Sequence, residues 1–92
     1  VLMIGGGAVG LSIAYELAGR GRRVHVVVRG ELGGESSWAG AGIVPPAREN
    51  KADAPLVQLA GLSARLHIEL AERLRRDTGI DTGYRVSGAL YL

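Results

Sequence analysis

The chain opens on four consecutive apolar residues, Val1, Leu2, Met3 and Ile4. A short unbroken apolar run of this kind predicts a buried strand of a parallel sheet. Gly5, Gly6 and Gly7 break it. From Ala8 onward the spacing is helical, with Val9, Ile13 and Leu17 recurring every four residues as one apolar face. Ala14 and Ala18 are small enough for that helix to lie close on a sheet, and Gly19 and Gly21 are placed to end it. "RVHVVV", residues 23–28, is a second β-branched run and predicts a second strand. Strand, glycine turn, helix and strand in about thirty residues form a βαβ unit with adjacent parallel strands.

Past Arg29 the periodicity stops. "GELGGESSWAGAGIVPPARENKADAP" is rich in Gly, Ala, Ser and Pro and predicts a long loop, which in a compact domain is a candidate for function. Asp53 is placed to cap a helix with Pro55 in its first turn. Leu59, Leu62, Leu66, Leu70 and Leu74 give that helix an apolar stripe, and Gly79 stops it. Glu69 with Arg73 and Glu72 with Arg76 are spaced as i,i+4 pairs on its solvent face. This helix reads as scaffold, and His67 within it as a partly buried polar residue. "YRVSGALYL", residues 84–92, reads as a further strand.

Eleven basic and nine acidic residues leave a net charge of +2, too mild for a nucleic-acid reader. The one dense basic cluster, Arg20, Arg22 and Arg23, follows the first helix, where cations complement the negative helix end. The chain has no cysteine and two isolated histidines, so neither disulfides nor a metal-ligand spacing is expected. No apolar run approaches the roughly 20 residues that span a bilayer, and no basic-then-apolar signal is present, so a cytoplasmic setting without membrane partner is the expectation. The apolar start and the strand-like end suggest the N-terminal part of a longer protein.

Chemistry enters with Gly5-x-Gly7-x-x-Gly10, placed between a strand and a helix, where the motif is informative. Gly5 permits the tight turn out of the strand, Gly7 lets a pyrophosphate approach the backbone, and Gly10 lets helix and strand pack closely. A pyrophosphate would meet the free N–H groups of Ala8 and Val9 at the positive helix end. The unit therefore reads as a Rossmann-like dinucleotide site. A carboxylate about 20 residues further on normally accepts hydrogen bonds from the adenosine ribose. By strand phase that position is Val28, which has no acceptor. Glu31 could reach back to the ribose, or Arg29 could face a 2′-phosphate, making the ligand NADP(H). The βαβ unit leaves both open.

The stretch "GGESSWAGAGIVPP", residues 33–46, resembles the second flavin-binding segment of the D-amino-acid oxidase and glycine oxidase family of FAD-dependent enzymes. In that family a glycine pair precedes a small-residue and serine run and then an Ala-Gly-hydrophobic triplet. Gly33, Gly34, Ser36, Ser37, Ala41, Gly42 and Ile43 match in order and spacing. Trp38 within "SSWAGAGI" is similar to the glycine oxidase branch, the branch linked to thiamine biosynthesis. "ELAERLRRDTGIDTGYRVSGALYL" resembles the family's helix, its "TGID" exit and the first strand of its substrate domain, so the resemblance covers essentially the whole chain.

The resemblance implies an α/β fold, the N-terminal part of a two-domain flavin oxidase with FAD as cofactor. Residues 1–50 would form the FAD-binding βαβ unit and second flavin-contacting loop, residues 51–80 a helix of the same domain, and residues 81–92 the start of a substrate-domain strand. Ser36 and Ser37 would hydrogen-bond phosphate oxygens, and the backbone of Ala41, Gly42 and Ile43 would run beside the isoalloxazine, as small residues permit. Trp38 is expected to pack beside the cofactor. The implied reaction oxidises the amine of glycine or another small amino acid to an imine, with dioxygen reduced to hydrogen peroxide; homo-oligomerisation is left open. The family's substrate-carboxylate clamp, an arginine and a tyrosine, lies beyond residue 92, and Arg29, Arg48 and Arg85 do not match it. No residue of this chain is expected to be catalytic, and the isolated chain is expected to be inactive. An NADP-dependent reductase and a non-catalytic truncated product are the competing readings.

Overall fold

The computed structural model describes residues 1–46 and 54–90. The chain divides into two compact units, Val1–Gly42 and Ile43–Leu92.

In the first unit, strand β1 (Leu2–Ile4), helix α1 (Ala8–Gly19) and strand β2 (His25–Val27) follow in the order expected of a βαβ unit. The strands are parallel neighbours in register Leu2↔His25, Met3↔Val26 and Ile4↔Val27. Two further backbone bonds extend the ladder: His25 N–H to Val1 O and Gly5 N–H to Val27 O, each 2.9 Å. Helix α1 packs against both strands. It stops where glycine allows, at Gly19, and Gly21 takes the left-handed conformation (φ 72°) that turns the chain toward β2.

Two expectations for this unit need correction. The helix face toward the sheet is the small one. Gly10, Leu11, Ala14 and Leu17 are half-buried, while Val9 is 76% exposed and Ile13 and Ala18 are also exposed. Gly10 fixes this orientation, because its α-carbon sits directly over the backbone of Gly5. Nor are the strands buried: Ile4 is 85% exposed, and Leu2 and Val27 are exposed as well. A parallel sheet is buried when helices cover both faces, and this unit has a single helix for two strands.

In the second unit, helix α2 runs from Pro55 to Thr78. Pro55 stands in its first turn, Arg75 and Arg76 in its last, and Gly79 closes it in the left-handed conformation (φ 73°), as helix-end chemistry requires. The cap expected from Asp53 lies outside the described residues; Ala54 is the N-cap residue and gives no side-chain bond. The buried positions of α2 are Gly61 and Ala64; of the leucine stripe, Leu59, Leu62 and Leu66 are exposed, while Leu70 and Leu74 are half-buried. Arg76 Nε lies 3.6 Å from Asp77. His67 is half-buried, as expected, with Nδ1 2.8 Å from Ser63 O and its ring stacked 6.1 Å from Tyr84. Residues 84–90 form no strand; a strand exists only through a ladder partner, and none pairs with them among the described residues. No described helix is long and apolar enough to cross a membrane, and no described cluster of side chains could hold a metal ion.

Candidate cofactor site

The first turn of α1 leaves its leading N–H groups without carbonyl partners, as every helix does. Gly7, the N-cap residue, has no side chain to satisfy them. The N–H of Ala8 instead donates to Ser37 Oγ at 2.9 Å, while those of Gly7, Val9 and Gly10 have no partner among the described residues. The positive end of the α1 dipole thus carries three open donors. The Ser37 hydroxyl accepts from Ala8 and keeps its own proton to donate.

The second glycine segment is tied to the first at two points. Besides the Ala8–Ser37 bond, the Gly33 N–H donates to Gly6 O at 2.8 Å, and Gly33 takes the left-handed conformation (φ 74°). From Gly33 the chain winds through a helical turn, with Trp38 N–H donating to Glu35 O at 3.0 Å, which turns Ser37 back onto α1.

Between the two segments lies a cavity of about 350 Å³. Of the residues singled out in the sequence, Gly5, Gly7, Val28, Arg29, Glu31, Gly33, Gly34, Ser36 and Ser37 line it. Ala8 adjoins it through Ser37, and Val9 and Gly10 bring their open N–H groups to the same helix end. Ala41, Gly42 and Ile43 are not among its lining residues; Gly42 is needed for a left-handed turn (φ 71°), and Ile43 is 85% exposed. Trp38, expected to pack beside a cofactor, is 84% exposed, because the turn that points Ser37 inward points its neighbour out.

The glycine roles are visible as geometry. A Cβ on Gly10 would stand 2.3 Å from Gly5 O, and one on Gly7 would stand 2.9 Å from Ser37 Oγ. Gly5 has φ 105°, a conformation that side chains disfavour. Two residues of the site were not singled out from the sequence. A Cβ on Gly6 would lie 2.4 Å from Val28 Cγ1 and 2.7 Å from Leu32 Cδ2, so Gly6 is where the tip of β2 packs onto the glycine turn. The signal for it was the run of three glycines where the motif needs two. Glu35 lines the cavity and receives Arg29 Nε at 2.5 Å. Opposite charges six residues apart across a loop give no periodic signal, so this pair was hidden. Arg29, read as a candidate for a 2′-phosphate, is engaged with a carboxylate.

A glycine turn between parallel strand and helix, open donors at the helix end and a cavity there define a dinucleotide-binding βαβ unit. The chain belongs to the FAD dependent oxidoreductase family (DAO), which matches residues 1–92. It is similar to the glycine oxidase of Pseudomonas putida, 39% identical over 92 residues, which cover all of this chain and 25% of that protein. It is similar also to the glycine oxidase of Geobacillus kaustophilus, 41% identical over 100% of this chain and 24% of that protein. A bifunctional ThiO/ThiG protein of Synechocystis is 38% identical over 98% of this chain and 14% of its own length. The chain thus spans about a quarter of the length of the glycine oxidases it matches. No solved structure matches it. A family of FAD-dependent enzymes leaves the NADP(H) reading of Arg29 without support.

Proposed function

We propose that this chain is the FAD-binding portion of an oxidase acting on the amine of glycine or another small amino acid. The observation that carries the reading is the bond from Ala8 N–H to Ser37 Oγ, which brings both glycine segments to one helix end. The residues fit the cofactor: the open donors of Gly7, Val9 and Gly10 suit a diphosphate, and Gly7 leaves its approach clear. Ser36 and Ser37 add hydroxyl donors beside them.

A bound FAD would supply the two-electron acceptor for amine oxidation, with dioxygen as the final oxidant. This chain's own residues bind and orient. The open N–H groups of Gly7, Val9 and Gly10 at the start of α1 would hold the cofactor's negative diphosphate. Residues 1–50 are assigned to this unit and loop, residues 51–80 to a helix of the same domain and residues 81–92 to the start of the substrate domain. The amine-bearing substrate and the groups that position it belong to the rest of the protein, and no residue of this chain is assigned as catalytic. The support for glycine is the similarity to glycine oxidases over the whole chain.

The test is an absorption spectrum of the full-length protein purified without added cofactor, followed by chromatography of the nucleotide released on denaturation. Flavin bands with FAD released, and peroxide formed when glycine is added, are the expected results. A colourless protein that retains NADP(H) would overturn the reading.

A further inference from the structure

The tip of β2 lacks the acid that would take the adenosine ribose, and the structure shows what the residue there does instead. Val28 lays its side chain over Gly6, 2.4 Å from where a Cβ would be, and offers an apolar contact only. A dinucleotide seated on the glycine turn would therefore present its ribose hydroxyls to a strand tip without an acceptor. Two carboxylates line the same cavity, Glu31 and Glu35. They differ in how they are held.

Glu35 is fixed. Arg29 Nε donates to its Oε1 at 2.5 Å, which leaves Oε2 and the remaining lone pairs open as acceptors. Both side chains stay largely open to solvent, so a ligand entering the cavity can reach them. Glu35 also immediately precedes Ser36 and Ser37, and the Ser37 bond to Ala8 anchors this turn at the start of α1. Charge argues in the same direction. A dinucleotide brings a diphosphate to this helix end, and a bare carboxylate beside it is repelled. The Arg29–Glu35 pair is neutral as a unit and sits beside a diphosphate without that penalty. Among the described residues Glu31 has no ion-pair partner.

We infer that Glu35, oriented by Arg29, is the acceptor for the adenosine ribose hydroxyls in place of the missing acid at position 28. The inference rests on the proposed FAD site. It gives Arg29 a role opposite to the one its charge suggests: it positions a carboxylate at the ribose, and its guanidinium is taken up by Glu35 instead of a 2′-phosphate.

The experiment uses the full-length apoprotein and two probes, FAD and an FAD analogue whose adenosine ribose lacks both hydroxyls. Kd is measured for each by quenching of flavin fluorescence. The unsubstituted protein is expected to prefer FAD by about ten- to a hundredfold, the worth of hydrogen bonds to a charged acceptor. Glu35→Gln is expected to collapse that preference to near one by weakening FAD alone, and Glu31→Gln to leave it intact. Arg29→Gln, which keeps the carboxylate but frees it, is expected to lose part of the preference and so serves if Glu35→Gln fails to fold. The inference is overturned if the unsubstituted protein binds both probes equally. It is overturned too if Glu35→Gln weakens both probes in parallel, as a merely structural role would, or if the preference disappears in Glu31→Gln instead. A full-length protein that binds neither probe defeats the FAD reading itself, an outcome distinct from these.

Discussion

Ser37 Oγ accepts the N–H of Ala8 at 2.9 Å across 29 residues of sequence, and so caps a helix whose own N-cap residue is a glycine. This makes the start of α1 a joint product of two glycine-rich segments. The cap comes from a loop that carries other site residues, so helix stability and site assembly depend on one hydroxyl. Ser37→Ala is expected to cost about 1 kcal/mol, the ordinary worth of a helix cap, and to weaken FAD binding in the full-length protein. Ser37→Thr, which keeps the hydroxyl, is expected to retain most of both. Thermal unfolding together with flavin titration checks this; a Ser37→Ala variant unchanged in both would show that the bond contributes nothing.

Gly10 is a packing requirement. A methyl there would meet the carbonyl oxygen of Gly5 at 2.3 Å, and backbone cannot rotate aside as a side chain can. Helix α1 would have to lift from the strand, so Gly10→Ala is expected to destabilise by about 1–3 kcal/mol, the usual cost of overpacking. Gly19 lies in the same helix with nothing within 4 Å of its would-be Cβ, so Gly19→Ala is the matched control and is expected to be tolerated. Equal midpoints of denaturation for the two variants would contradict the packing argument.

Gly7 tests the ligand path, with Ser37→Ala as the control for any loss of the Ser37 cap. The nearest atom to a Cβ there is Ser37 Oγ, at 2.9 Å, the end of a short side chain that can turn away. A bulky side chain at this position would project into the cavity that Gly7 lines. Gly7→Leu is therefore expected to abolish flavin binding in the full-length protein. Purification of that variant with full flavin occupancy would remove Gly7 from the diphosphate path.

How much of this was readable from the chain varies with the physics involved. The parallel βαβ order and the glycine stops at Gly21 and Gly79 follow from local rules of backbone conformation, and the sequence carries them openly. The family, too, was legible in the order and spacing of residues 33–43. Which face of α1 meets the sheet was not, because apolar spacing marks Val9 and Ile13 while the close approach at Gly10 decides the rotation. Leu59, Leu62 and Leu66 of α2 misled in the same way, since Gly61 and Ala64 occupy its buried positions. The Arg29–Glu35 pair depends on how a loop folds back, which no periodicity encodes.

Asp81 gives a pH-dependent prediction away from the cofactor. Its carboxyl is pulled from the ordinary 3.8 down to about 2, first by the hydrogen bond from Arg85, then by the Gly83 N–H, then by attraction to the Arg85 charge. The contacts are short: Arg85 Nη2 to Oδ2 and Gly83 N–H to Oδ1, each 2.9 Å. A depressed carboxyl favours the folded turn above the unfolded value near 3.8, and that contribution is lost as pH falls through about 2. The turn at residues 81–85 is therefore expected to hold at neutral pH and loosen only in strong acid. Carbon-13 titration of the Asp81 carboxyl reads this directly. A midpoint near 3.8 in the unsubstituted protein would deny the pairing, and Arg85→Gln should move the midpoint upward.

Position 28 offers a test by restoration. Valine packs on Gly6 where an acid would serve the ribose, so Val28→Glu in the otherwise unchanged protein is expected to leave FAD binding the same or tighten it. With Glu35 in place the ribose already has its acceptor, and a second carboxylate beside the diphosphate adds repulsion that offsets part of any gain. In a Glu35→Gln background the same substitution meets an unsatisfied ribose. There Val28→Glu is expected to recover most of the lost FAD affinity and to restore the preference for FAD over the analogue without ribose hydroxyls. Kd values for both probes across the four combinations form a double-mutant cycle, and the two substitutions should depart strongly from additivity. Strict additivity would mean that positions 28 and 35 serve different parts of the ligand, and Glu35 would lose its claim to the ribose.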